Sequence, residues 1–196
     1  MVPMLVRGLR LAWLAPIALF AWAPTANATS VEVKGLRALS VEADAVFLGT
    51  VSEVRSQWVD DKHTAIETFV TFVDVQPLLG EAADGLTLRF SGGTVGGIRE
   101  EIVGMPRFER GERVVLFVHS GRSVSPIVGF SQGCFRVIDG ASGPVVATAE
   151  GHPVYEIDAE TMAAGTAAGG ASGAMSLDEF LRAVRAMLKS TGRTGS

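Results

Sequence analysis

Cysteine is almost absent from this chain, and histidine is scarce. Cys134 is the only cysteine among 196 residues, so no disulfide can form within one chain and packing must stabilise the fold. The three histidines, His63, His119 and His152, lie far apart, and no two of them have the spacing of a zinc-binding motif. The sequence therefore predicts neither a disulfide framework nor a metal site.

The sequence also lacks an apolar run long enough to cross a membrane. The apolar run at residues 11–23 has 13 residues, whereas a spanning helix needs about 20. Arg7 and Arg10 precede this run and the small residues Ala26-Asn27-Ala28 follow it, which is the order of a secretory signal peptide. We therefore expect residues 1–28 to be cleaved after Ala28, with no stable transmembrane segment in the exported chain.

Basic residues are too few and too scattered for a nucleic-acid interface. The chain has 17 Lys and Arg against 21 Asp and Glu, which gives a formal net charge of −4. Cleavage after Ala28 would remove Arg7 and Arg10 and change the net charge from −4 to −6. Because nucleic acids are bound by clustered basic side chains, the sequence argues against them as partners. The new N-terminus would be Thr29 and not cysteine, which excludes a lipid-modified lipoprotein.

Catalytic motifs are missing as well. Cys134 has no nucleophile motif around it, so we expect a buried apolar cysteine and not a nucleophile with His119 as its base. The glycine-rich residues 92–97 lack the Gly-Lys-Ser/Thr sequence of a phosphate-binding loop. Glu100 and Glu101 are adjacent and would point to opposite faces of a strand, so they cannot form an acid–base pair by themselves. We therefore predict no enzymatic activity, no catalytic residue and no cofactor.

Short β-strand patterns fill the middle of the chain. Apolar and β-branched residues predict strands at residues 45–55, 66–75, 86–91, 113–119, 126–130, 135–138 and 144–148. Residues 34–44 favour a short helix, and the glycine-rich residues 92–107 predict a long loop or a distorted hairpin. About seven short strands with regular turn signals predict a mainly β fold, either a small antiparallel barrel or a sandwich.

The C-terminal part of the chain contains a linker pattern and a helix pattern. Residues 161–175 are rich in Ala and Gly, which predicts a flexible linker after a β domain at residues 29–160. Ser176 and Glu179 have the spacing of a capping box, and apolar residues at helical spacing continue to Leu188. We therefore predict an amphipathic helix at residues 176–190, which would pack on the β domain or tether the protein to a larger assembly.

Three segments resemble segments of known proteins. Residues 42–51, EADAVFLGTV, resemble the first strand of netrin-like modules and of the tissue inhibitors of metalloproteinases, which are OB-fold barrels. Residues 106–117, PRFERGERVVLF, and 129–137, GFSQGCFRV, are similar to segments of uncharacterised exported bacterial proteins. The resemblance implies a small antiparallel OB-like barrel. It does not extend to the inhibitory mechanism, because those inhibitors place an N-terminal cysteine on the catalytic zinc and Thr29 stands at that end here.

Residues on the loops are the candidates for a binding surface, because barrel proteins usually bind through their loops. The candidates are Arg99, Arg107, Phe108, Phe130 and Gln132. We expect an exported, non-enzymatic binding module in the periplasm or the medium, whose partner would be an exported protein or another ligand. The alternative is an inhibitor or accessory factor of a secreted metallopeptidase.

Overall fold

The fold is mainly β, with one helix before the strands and one after them. The structure is a computed structural model that describes residues 33–121, 124–164 and 173–193. The predicted signal peptide, residues 1–28, and residues 165–172 of the predicted linker lie outside the described residues. In chain order the elements are α1 (Leu36–Glu42), β1 (Ala45–Trp58), β2 (Ile66–Leu79), β3 (Leu86–Ser91), β4 (Gly93–Val95), β5 (Ile98–Glu100), β6 (Arg113–Val118), β7 (Cys134–Gly140), β8 (Gly143–Thr148), β9 (Val154–Ile157), β10 (Met162–Ala164) and α2 (Leu177–Ser190).

One six-stranded antiparallel sheet forms the centre of the molecule. Its strand order is β3-β2-β1-β6-β7-β8, and two small two-stranded sheets, β4-β5 and β9-β10, accompany it. The strands β1 and β2 have 14 residues each and pair along their whole length, whereas β6 pairs only with Ala45–Thr50 of β1. The second half of β1 therefore extends beyond β6 as a ribbon with β2 and β3. This architecture confirms the predicted mainly β class.

The central sheet is open, so the predicted barrel does not close within the described residues. The strands β3 and β8 lie at its two ends and do not pair with each other. Other parts of the chain contact both of these edges. Pro153 and Ser176 form single bridges to β8, and the Ser91 N–H of β3 donates to the Val124 carbonyl at 3.0 Å. Because the segments around Pro153 and Ser176 already cover the edge of β8, a direct pairing with β3 is blocked.

Several predicted elements have different bounds in the structure. The predicted short helix is α1, and the glycine-rich residues 92–107 contain the β4–β5 hairpin. Residues 126–130 were expected to form a strand but form a turn, with a single bridge at Ile127 and a left-handed φ of 71° at Phe130. Met162–Ala164, at the start of the predicted linker, pairs with β9. None of the described helices is long and apolar enough to span a membrane.

Both helices pack on one face of the sheet. The helix α2 begins with the predicted capping box: Ser176 Oγ accepts from the Glu179 N–H at 3.3 Å, and Glu179 Oε2 accepts from the Ser176 N–H at 3.1 Å. Phe180 is fully buried, and its ring centroid lies 4.6 Å from that of Phe135 on β7. The C-terminal helix is therefore part of the hydrophobic core and does not extend away from the β domain.

Aromatic rings fill the core on the opposite face of the sheet. Phe72 lies 5.4 Å from Phe47 and 6.1 Å from Phe108, measured between ring centroids, and both pairs meet edge to face. Phe90 lies 5.2 Å from Phe108. Edge-to-face pairs of this kind add about 0.5–1.5 kcal/mol each to the burial of their area. This aromatic cluster supports the part of the sheet that carries the candidate site.

Candidate functional site

A cleft of about 360 Å³ opens on the aromatic face of the sheet, and we call it the hairpin cleft. Side chains of β1, β2 and β3 form its floor. The β4–β5 hairpin forms one wall, and residues 101–108 form the other. Val54, Val70 and Phe90 make the floor largely apolar, and Ser56 and Thr68 add two hydroxyl groups. The rim carries charged side chains from β5 and from the loop that follows it.

The register of β1 against β2 puts the floor residues on one face. Val54 pairs with Val70, and Ser56 pairs with Thr68, so each pair points its two side chains in the same direction. The Thr68 hydroxyl donates to the Gly92 carbonyl at 2.6 Å and lies 2.8 Å from the Ser56 hydroxyl. The single proton of Thr68 is used in the first bond, so Ser56 donates the second. These bonds hold the start of the hairpin against the ribbon.

Gly93 lies directly on this pair of hydroxyl groups. A Cβ at this position would come within 2.5 Å of Ser56 Oγ and closer still to Thr68 Oγ1, and the backbone φ is 144°. Both the close approach and the backbone angle therefore require glycine. The hairpin can pass this close to Ser56 and Thr68 only because residue 93 has no side chain.

Replacement of Gly93 by alanine is expected to lower the free energy of unfolding by about 1–3 kcal/mol, because the added methyl group overpacks the site. The matched control is Gly96→Ala, where φ is also positive, at 57°, but a Cβ would meet nothing within 4 Å. Gly96→Ala should lower the free energy of unfolding by only about 1 kcal/mol, because only the left-handed backbone conformation disfavours alanine there. Urea unfolding of both variants measures the difference, and equal losses would show that the hairpin does not rest on the hydroxyl groups.

Two arginines on the rim of the hairpin cleft share one carboxylate. Arg99 Nη2 lies 3.0 Å from Glu101 Oε2, and Arg107 Nη2 donates to the other oxygen, Glu101 Oε1. All three side chains are about half exposed, at 53%, 64% and 54% for Arg99, Arg107 and Glu101. The neighbouring Glu100 is turned another way, because its Oε2 accepts from the Ile66 N–H at 2.7 Å. The two adjacent glutamates therefore serve different partners.

The loop that carries Arg107 is fixed from below by Arg136 on β7. The guanidinium of Arg136 donates to the Arg107 carbonyl, to Glu112 Oε1 and, through Nε at 2.7 Å, to the Ala149 carbonyl. Only 18% of the Arg136 side chain is exposed. Charge-assisted bonds in a partly buried setting are stronger than exposed ones. These hydrogen bonds therefore attach the wall formed by residues 101–108 to the central sheet.

Of the five residues predicted as binding candidates, three line the hairpin cleft. Arg99 and Arg107 lie on its rim, while Phe108 is only 8% exposed and forms part of a wall. The other two lie elsewhere. Phe130 is 41% exposed near Gly104, and Gln132 Oε1 accepts from the Lys34 N–H at 2.6 Å, which fixes the chain before α1.

The floor residues were not among the candidates, although they shape the cleft. Val54, Ser56, Thr68 and Val70 lie inside strands, and strand residues read from sequence as ordinary core or surface. A signal does exist, since each strand has an apolar residue and a small hydroxyl residue two positions apart, Val54 and Ser56 on β1 and Thr68 and Val70 on β2. It gains meaning only when the register shows that Ser56 faces Thr68 and that the hairpin crosses above them.

Cys134 is placed where a thiol has little reactivity. It is fully buried in the aromatic core, and burial raises its pKa to about 12. Among the described residues, no three or more His, Cys, Asp or Glu side chains form a group that could hold a metal ion. Within the described residues, the ionisable side chains that line the hairpin cleft are Arg99, Glu100, Glu101 and Arg107.

The chemistry of the hairpin cleft rests on its own side chains: an apolar floor, two hydroxyl groups, and two arginines that share a carboxylate. Comparison with known proteins does not assign a function to the cleft, because no protein-family model, no curated protein and no solved structure matches this chain.

Proposed function

We propose that this protein is an exported, non-enzymatic binding module and that the hairpin cleft is its ligand site. The cleft itself carries the proposal, because it combines an apolar floor with a few polar groups on fixed strands. Its volume of about 360 Å³ falls in the range of small-molecule sites, roughly 300–1,000 Å³. The proposal that the protein is exported rests on the sequence of residues 1–28.

The polar groups of the cleft support binding and not catalysis. Its two carboxylates already have partners, because Glu100 accepts from the Ile66 N–H and Glu101 binds Arg99 and Arg107. A nucleophilic thiol needs a lowered pKa, and the burial of Cys134 has the opposite effect. The arrangement therefore offers recognition groups at the rim and an apolar surface beneath them.

We also propose that the open sheet is a partly open OB-like barrel. The first strand pairs with both β2 and β6, and register shifts occur along β1 near Phe47, Thr50 and Glu53. Such irregularities bend a strand and allow a sheet to curve toward closure. In OB folds one broad strand face carries the ligand. The hairpin cleft lies on the face of β1–β3.

A neutral apolar dye, N-phenylnaphthylamine, tests the proposed ligand site in the chain from residue 29 to residue 196. We expect the dye to bind with a rise in fluorescence, and Val54→Phe to weaken its binding by about tenfold, because a larger side chain on the floor fills the cleft. Val54 is 39% exposed, so the variant should still fold. Circular dichroism checks the fold.

The matched control for this experiment is Val41→Phe. Val41 is 51% exposed on α1, which packs on the opposite face of the sheet, so its replacement adds the same atoms away from the cleft. This variant should bind the dye like the unmodified protein. Equal dye binding in both variants would show that the hairpin cleft is not the site.

A further inference from the structure

The ion pairs on the rim of the hairpin cleft suggest what kind of ligand it takes. Arg99 and Arg107 belong to different segments, β5 and the loop after it, and both direct a guanidinium group to the two oxygens of one carboxylate. Two guanidinium groups converging on one carboxylate form a site for a single carboxylate group. In the free protein, Glu101 supplies that carboxylate.

The bond between Glu101 and the two arginines is easily exchanged. All three side chains are at least half exposed, and exposed ion pairs contribute only about 0–1 kcal/mol to stability. Glu101 makes no other side-chain hydrogen bond or ion pair within the described residues. A carboxylate from outside could therefore take its position while Glu101 turns to solvent.

The floor beneath the arginines determines the rest of the ligand. Val54, Val70, Phe90 and Met105 line the cleft, together with hydroxyl groups carried by strands β1 to β4. An apolar chain bound on this floor would remove its own surface and the exposed part of Val54 from water, at about 25 cal/mol per Å² of apolar area. The second carboxylate of the cleft, Glu100, is bound to the Ile66 N–H and to neither arginine.

We propose that the hairpin cleft binds a carboxylate-bearing apolar ligand, of the class of a medium-chain fatty acid, and that Glu101 occupies the carboxylate position when the ligand is absent. This inference rests on the proposed function, because it names the ligand class for the same cleft. The ligand carboxylate pairs with Arg99 and Arg107, and its chain lies on the apolar floor. Glu101 acts as a competitor for the two arginines.

Displacement of the bound dye by decanoate and by decanol tests this inference, since the two compounds share a chain and differ in the carboxylate. We expect decanoate to bind at least about tenfold more tightly than decanol. Arg99→Gln combined with Arg107→Gln should abolish this preference and leave decanol binding unchanged. Glu101→Gln should raise the affinity for decanoate by about three- to tenfold, because it removes the competing carboxylate.

The matched control is Arg89→Gln, which removes the ion pair between Arg89 on β3 and Glu67 on β2, outside the cleft. It should leave both affinities unchanged. Equal displacement by decanoate and decanol would overturn the inference but leave the proposed site intact, because the dye still reports on the cleft. An unchanged or lower decanoate affinity in Glu101→Gln would overturn the role of Glu101. Failure of the dye to bind at all would contradict the proposed function itself.

Discussion

Replacement of Phe180 by alanine is expected to lower the free energy of unfolding by about 3–5 kcal/mol, the cost of removing a buried aromatic side chain. Phe180 is 0% exposed, and its ring packs 4.6 Å from the ring of Phe135, centroid to centroid. The side chain joins α2 to the central sheet, so its loss leaves a cavity between helix and sheet. Urea denaturation followed by circular dichroism measures the change.

Arg185→Ala is the matched control on the same helix. Arg185 is exposed, so the variant shortens a side chain of α2 without opening a cavity. Its free energy of unfolding should change by less than about 0.5 kcal/mol. If Phe180→Ala were as stable as this control, the helix would not be a structural part of the domain.

The same experiment separates two roles of the C-terminal helix. An amphipathic helix after an Ala/Gly-rich segment can be a tether that docks on another protein or a part of the core. The burial of Leu177, Phe180, Val184 and Leu188 against the sheet favours the second role. Removal of residues 162–196 should therefore unfold the protein and not merely end an association.

Local signals in the sequence were sufficient to predict the helices and most strands. The capping box at Ser176 and Glu179 marks the start of α2 because both of its hydrogen bonds form between residues three apart. The alternation in residues 86–91 likewise predicts β3, since one side of that strand faces the core. Such features depend on neighbouring residues only, so they can be recognised without knowledge of the tertiary structure.

Features that depend on distant parts of the chain could not be predicted. The predicted first strand, residues 45–55, continues to Trp58 because β2 supplies pairing partners for Ser56 and Gln57. The sheet stays open because Pro153 and Ser176 cover the edge of β8, and no local pattern shows that. The candidate site likewise depends on contacts that only the tertiary structure shows. Arg99 and Arg107 were predicted from their loop positions, but Glu101 between them is recognised only in three dimensions.

Phe108 lies in a loop but is mostly buried. It was predicted as a binding residue because it lies in an irregular segment, yet it is 8% exposed and packs against Phe72 and Phe90. We expect Phe108→Ala to lower the free energy of unfolding by about 3–5 kcal/mol, through a cavity beneath the wall of the hairpin cleft. Thermal and urea unfolding measure this loss.

Phe130→Ala is the control, because it makes the same change at another residue predicted as a binding candidate. Phe130 is 41% exposed and makes no ring contact with another aromatic side chain in the described residues. Its replacement should cost less than about 1 kcal/mol. Equal losses in the two variants would show that Phe108 does not support the wall. A large loss confined to Phe108→Ala would mean that this side chain supports the wall of the hairpin cleft by packing.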